Sequence, residues 1–229
     1  GVTTIGDGAF TLCRALWAVT IGTSVTSIGQ GAFSDCETLR GVTIPDGVTS
    51  IGPNAFRDCG SLESVTIGDG VTSIGDNTFY NCRTLETVTI GNSVPSIGEY
   101  AFYICLRLSS VSIPDGVSNI GDATFRSCSS LVALTIPNSV TSIEAEAFYG
   151  CTSLTSITIP NGVTSIGDKA FRFCSSLTSI TFQGSAPDVG VDAFLNVAGG
   201  AIATVAAANL SSFGSDCDRW NGLISSAFD

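Results

Sequence analysis

The residues of this sequence that can do chemistry stand in rows. Eight of the nine cysteines recur every 23 residues, at positions 13, 36, 59, 82, 105, 128, 151 and 174. Thiols form disulfides, hold metal ions or attack electrophiles. The chain contains no His, which removes the commonest general base and the commonest metal ligand together. Equivalent side chains of a stacked repeat point the same way about 4.8 Å apart. A disulfide needs Cβ atoms about 3.8 Å apart and side chains that face each other. The column therefore reads as buried thiols serving as small hydrophobes, with no bridge, metal or cofactor. Cys217 lies outside the register and is free, paired or simply packed.

Hydroxyls make two further rows. One is Thr20, Thr43, Thr66, Thr89, Ser112, Thr135, Thr158 and Thr181; the other is Ala18, Gly41, Ser64, Thr87, Ser110, Ala133, Ser156 and Ser179. Thr suits a pleated strand and pairs well with Thr across it, which accounts for much of the pattern structurally. Functionally, the rows make an extended, uncharged surface of the kind repeat proteins use for binding, and regular Thr spacing also suits an ice or polysaccharide surface. A third row holds Arg57, Tyr80, Tyr103, Arg126, Tyr149 and Arg172. Tyr and Arg anchor many protein interfaces, although adjacency in a stack also produces cation–π contacts on its own. Acidic residues recur too (Asp46 and Asp69; Asp76, Glu99 and Asp122). Turn and helix N-cap roles account for them without Ca²⁺.

These rows require elements that repeat without slippage. Ile recurs at 5, 28, 51, 74, 97, 120, 143 and 166, with Val189 in the ninth copy, and Phe at 10, 33, 56, 79, 102, 125, 148, 171 and 194. A fixed period in the twenties, with no insertion, means a solenoid whose coils bury their apolar faces against one another. Within one coil, Leu154, Ile157 and Ile159 alternate with Ser156 and Thr158 as in a half-buried strand. Pro160-Asn161-Gly162 turns the chain, and Val163 and Ile166 point inward from a second short strand. Ala170, Phe171, Cys174 and Leu177 then predict a short helical turn, with Asp168 as its N-cap and Asp7, Asp76, Asp122 and Glu99 in the same place. A net charge of −11 disfavours nucleic acid and anionic membranes. No apolar run is long enough to span a bilayer.

The pattern L-x-x-[VI]-T-I-P-x-x-V-T-x-I-G-x-x-A-F-x-x-C resembles the leucine-rich repeats of BspA-like, or Treponema pallidum-type, surface proteins. The resemblance covers about 180 residues of the chain. It implies a right-handed α/β solenoid of the leucine-rich-repeat type with 23-residue coils, a parallel sheet and short helical turns. Residues 1–182 are expected to form the repeats, the first coil incomplete, and 183–229 a degenerate coil and C-terminal cap that includes Trp220-Asn221-Gly222. The absence of Met and the start inside a repeat suggest a processed form or a fragment. Family resemblance implies a non-enzymatic, extracellular or cell-surface protein that adheres to a protein or glycan on another cell or in the matrix. Ice or polysaccharide binding through the hydroxyl rows, and a pure structural spacer, are the alternatives.

Overall fold

The computed structural model describes residues 1–213 and 224–228. The chain winds into a parallel β-solenoid of about nine turns, roughly 23 residues to a coil, with almost no helix. Each coil contributes one longer strand, a turn, one two-residue strand and a run of turns. The longer strands stack in register with identical neighbours: Thr43 lies beside Thr66, and Thr66 beside Thr89. They form a five-stranded sheet from Gly41–Ile44 to Ala133–Thr135. A four-stranded sheet follows, made of Ser156–Ile159, Ser179–Phe182, Ile202–Ala206 and Ile224–Phe228.

The short strands stack on the adjoining side, from Thr4–Ile5 to Ser73–Ile74 and again from Asn119–Ile120 to Asp188–Val189. Between these two sheets a single bridge joins Ile74 to Ile97. One ladder bond at that bridge is lost for a sequence reason. In the neighbouring coils the Thr49 and Thr72 N–H groups donate to the preceding coil at 2.8 and 2.9 Å. Pro95 stands at the equivalent place and has no N–H to give, which thins the ladder between Ile74 and Ile97; the stack is open one coil further on, where no strand pairing joins Ile97 to Ile120 among the described residues.

The third side corrects the expected helical turn. Gly52–Ala55 closes with an N–H···O bond of 3.2 Å, and Phe56–Cys59 closes in the same way at 3.4 Å. Each turn carries a positive φ at its third residue, Asn54 at 58° and Asp58 at 57°, as type II geometry requires. The intervening N–H groups of Asn54, Phe56 and Asp58 leave the coil and donate to Asp76, Thr78 and Tyr80 of the next one, at 2.9, 2.9 and 2.8 Å. A helix keeps every N–H within its own segment; here alternate ones hold neighbouring coils together. Moreover, the carbonyl of Ala55 and the N–H of Phe56 belong to one peptide group. The bonds from Phe33 to Ala55, Phe56 to Thr78 and Phe79 to Ala101, at 2.7, 2.9 and 2.8 Å, therefore run head to tail. The row continues to Ala193, and parallel rows starting at Gly8 and Leu12 flank it.

The expected Asp N-caps are corrected for the same reason. With no helix to cap, the Asp7, Asp76, Asp122 and Asp168 carboxylates accept the N–H of Gln30, Glu99, Ala145 and Val191, one coil onward, at 2.8, 2.9, 3.0 and 2.7 Å. Asp46 and Asp69 do the same in the turn after the longer strand, for Asp69 and Asn92. The core is a column of Phe rings, from Phe10 to Phe194, whose neighbours stack 5.1 to 5.5 Å apart within 11° of parallel. Successive rings are thus nearly parallel from one coil to the next.

Candidate functional site

All ten hydroxyl residues singled out by spacing, Thr43, Ser64, Thr66, Thr87, Thr89, Ser110, Ser112, Thr135, Ser156 and Thr158, are exposed on the outer face of the longer strands. The eight from Thr43 to Thr135 share one sheet, and Ser156 and Thr158 open the next. None of these hydroxyls bonds to another described residue. This is not a general property of Thr in the chain. Thr26, Thr49, Thr72, Thr141 and Thr164, beside the short strands, each donate to a carbonyl of the preceding coil at 3.0 to 3.2 Å. The face itself bears no charge; Arg40 with Glu63, and Arg107 with Glu86, pair along its rim at 3.1 and 2.6 Å.

The Arg and Tyr row turns out to be largely engaged with itself. Arg57 lies over the Tyr80 ring at 4.5 Å, and Tyr80 stacks on Tyr103 at 4.8 Å. Arg126 sits between Tyr103 at 5.6 Å and Tyr149 at 4.3 Å, and pairs with Glu146. Arg172 covers Phe173 at 5.1 Å and pairs with Asp192 at 3.0 Å. All six side chains are part-buried. Their π-faces, the groups that grip a partner's cation or sugar ring, are covered mainly by the adjacent coils. Phe173 and its 5.3 Å edge contact with Tyr149 lay outside the row that spacing had picked out.

The seven thiols from Cys36 to Cys174 are buried, and only Cys13, in the first coil, is exposed among the described cysteines. Each buried thiol donates to a Phe carbonyl of the preceding coil; Cys59 reaches Phe33 at 3.2 Å and Cys105 reaches Phe79 at 3.3 Å. Sequence spacing had given them a purely apolar role, because carbonyl directions are invisible in a list of residue types. Burial pushes the Cys36 thiol up to about 11 and Cys174 to about 12, and the five between them higher still. None of these is a nucleophile near neutral pH. Cys217 and Trp220-Asn221-Gly222 lie outside the described residues.

Asp76, Glu99, Asp122 and Glu144 share a shallow depression beside the break in the short-strand stack. Burial and then the neighbouring carboxylates raise Glu99 above the ordinary range. Among the described residues no cluster of three His, Cys, Asp or Glu is placed to hold a metal ion. A depression of about 700 Å³ near Asn161 is lined by Asn138, Gly162, Thr181, Phe182, Gln183 and Ala206, with no ionisable group. No helix among the described residues is long and apolar enough to cross a membrane.

A parallel solenoid of about 23-residue coils with a Phe core and a buried thiol row is the architecture of a leucine-rich-repeat protein. The chain belongs to the BspA-type leucine-rich repeat family, which matches residues 3–132 and 95–217. Among solved structures it is similar to a leucine-rich cell surface protein from Faecalibacterium prausnitzii, at 40% identity and a TM-score of 0.68. That match covers 75% of this chain and 49% of the other, so the chain spans about half the length of that relative. It is also similar to the T. pallidum leucine-rich repeat protein, with 32% identity, a TM-score of 0.62, and 77% and 72% of the two chains covered. A leucine-rich repeat protein from Bacteroides ovatus matches at 25% identity and a TM-score of 0.53, over 83% of this chain and 64% of the other. No curated protein was found to match the chain.

Proposed function

We propose that this chain is a non-enzymatic part of an extracellular or cell-surface protein that binds a macromolecule, protein or glycan, presented by another cell or by the matrix. The contact surface is the outer face of the longer strands. One observation carries this reading: the ten hydroxyls there are exposed and unbonded, while those beside the short strands are tied into the coil. Exposed donors and acceptors in fixed rows can be satisfied by a ligand without rearranging the protein, which lowers the entropic cost of binding. The surface nature of the F. prausnitzii relative supports the location.

The Arg57 to Arg172 row is assigned mainly to holding coils together, because its ring faces and cations already have partners. Binding of the parent chain to a panel of immobilised matrix proteins and glycans tests the assignment against a triple variant, Thr66→Arg, Thr89→Arg and Thr135→Arg. The variant should lose binding by at least tenfold, equivalent to about 1.4 kcal/mol, with its melting temperature unchanged. Undiminished binding to a ligand that the parent does bind would remove the sheet face from the function.

A further inference from the structure

We infer that the ligand of the hydroxyl face is a neutral, extended polysaccharide rather than a protein; the inference rests on the sheet face being the contact surface. Three features point there. First, the face carries hydroxyls, with Gly41 and Ala133 the small exceptions in the second row, no charge inside it, and rim charges paired off as Arg40 with Glu63 and Arg107 with Glu86. A neutral partner matches it, whereas an ionic polymer would leave its own charges desolvated and unpaired. Second, the face has no Tyr, Trp or Arg, the side chains that most often anchor a protein interface. The chain's Tyr and Arg residues in the neighbouring row are stacked on each other.

Third, the face repeats. In register, Thr43, Thr66 and Thr89 present the same group at every coil, about 4.8 Å apart. A periodic surface is complementary along its length only to a periodic ligand. A protein epitope would meet the right neighbours at one register and mismatched ones elsewhere. A polyhydroxylated polymer whose units advance by one coil would instead meet a donor–acceptor pair at every unit. Affinity would then accumulate through many weak bonds along one chain.

The experiment uses the whole 229-residue chain and particles of cellulose, chitin and β-1,3-glucan, with a collagen film and growing ice crystals as further arms. Three triple variants at Thr66, Thr89 and Thr135 are compared: to Ser, which keeps the hydroxyls; to Val, which keeps the shape without them; and to Arg, which blocks the face. Expected is adsorption of the parent to at least one of the neutral polysaccharides. That adsorption should be insensitive to salt between about 0.05 and 0.5 M, a range over which ionic contacts fade. It should be kept by the Ser variant and weakened at least tenfold in both the Val and Arg variants.

Adsorption to none of the three polysaccharides, or equal adsorption of the Val variant, overturns the inference. Collagen binding or ice shaping by the parent that is lost in the Arg variant, with no polysaccharide bound, overturns the glycan assignment and leaves the sheet face standing. An Arg variant that binds whatever the parent binds removes both.

Discussion

A thiol in the column is held neutral by loss of water, its proton lying on a Phe carbonyl of the coil before. The consequence is a pH dependence of stability with a definite sign. An unfolded chain ionises its thiols around pH 8.5, while the folded one keeps Cys36 protonated to about 11 and Cys174 to about 12. Below the ordinary thiol value both states carry the proton and the contribution is complete. As pH climbs past it, the folded state should lose about 1.4 kcal/mol per pH unit for each buried thiol. Melting temperatures measured from pH 7 to 10.5 should fall steeply above about pH 9. The fall should be shallower in a Cys82→Ala, Cys105→Ala, Cys128→Ala variant, and an unchanged slope would show that these thiols do not titrate on unfolding. A thiol reagent should find Cys13 quickly in the native protein and the seven buried thiols only after denaturation. Replacing Cys105 by Ser keeps a donor within reach of Phe79, so about 1 kcal/mol is expected to be lost rather than the 1–3 kcal/mol of an orphaned hydroxyl.

In most coils, the glycine after the short strand is required by close approach to the coil before it. A Cβ on Gly98 would lie 2.5 Å from the Gly75 carbonyl carbon, whereas one on Gly121 would come no closer than 3.4 Å to anything. Gly121 faces the junction between Ile97 and Ile120, where the short strands are unpaired, and Glu144 occupies the equivalent place in the following coil. Gly98→Ala should therefore cost about 2 kcal/mol or more, through a backbone shift, and Gly121→Ala less than about 0.5 kcal/mol. Equal denaturation midpoints for the two would contradict the packing. Tyr103→Ala, which removes a ring packed by Tyr80 and Arg126, should cost about 1 kcal/mol. The two strands of each coil were legible in the sequence because period-two alternation fixes which side chains point inward. The turn segment was not. Ala170, Phe171, Cys174 and Leu177 are all buried as a helical stripe would place them, but type II turns bury the same set. What separates the two is positive φ, and residues such as Tyr100, Ile104 and Phe173, at 56°, 59° and 62°, give no warning of it. Burial of the Phe and Cys rows followed from composition and period, and the length of the two hydroxyl rows already favoured them over the Arg–Tyr row; that the latter is engaged with itself became visible only with side-chain contacts.

Over the whole molecule, stability accumulates from one coil to the next, and the ends decide how the array behaves. Asp188–Val189 keeps the register of the short strands, and Ile224–Phe228 lies along Ile202–Ala206. We take 183–229 as the cap of the array. Removing 207–229 should leave Ile202–Ala206 as an open parallel edge, so that sedimentation detects self-association while the inner coils still melt as before. A truncated chain that stays monomeric would make the segment a tail. The three rows of peptide bonds on the turn side have an electrical meaning as well. Every N–H in them points toward the later coils and every carbonyl toward the earlier ones. The strand sides run oppositely: Glu63, Glu86, Ser109, Val132, Thr155 and Thr178 each donate their N–H to the coil before, as do Thr49, Thr72 and the glycine row, which is broken at Gly121. Aligned peptides sum to about half a unit charge at each pole of a row, so each end of the array carries a positive edge on one side and a negative edge on another. Each row lengthens with every coil added, and mutual polarisation along it strengthens the bonds already there. Two solenoids meeting head to tail in register therefore face opposite poles on every side.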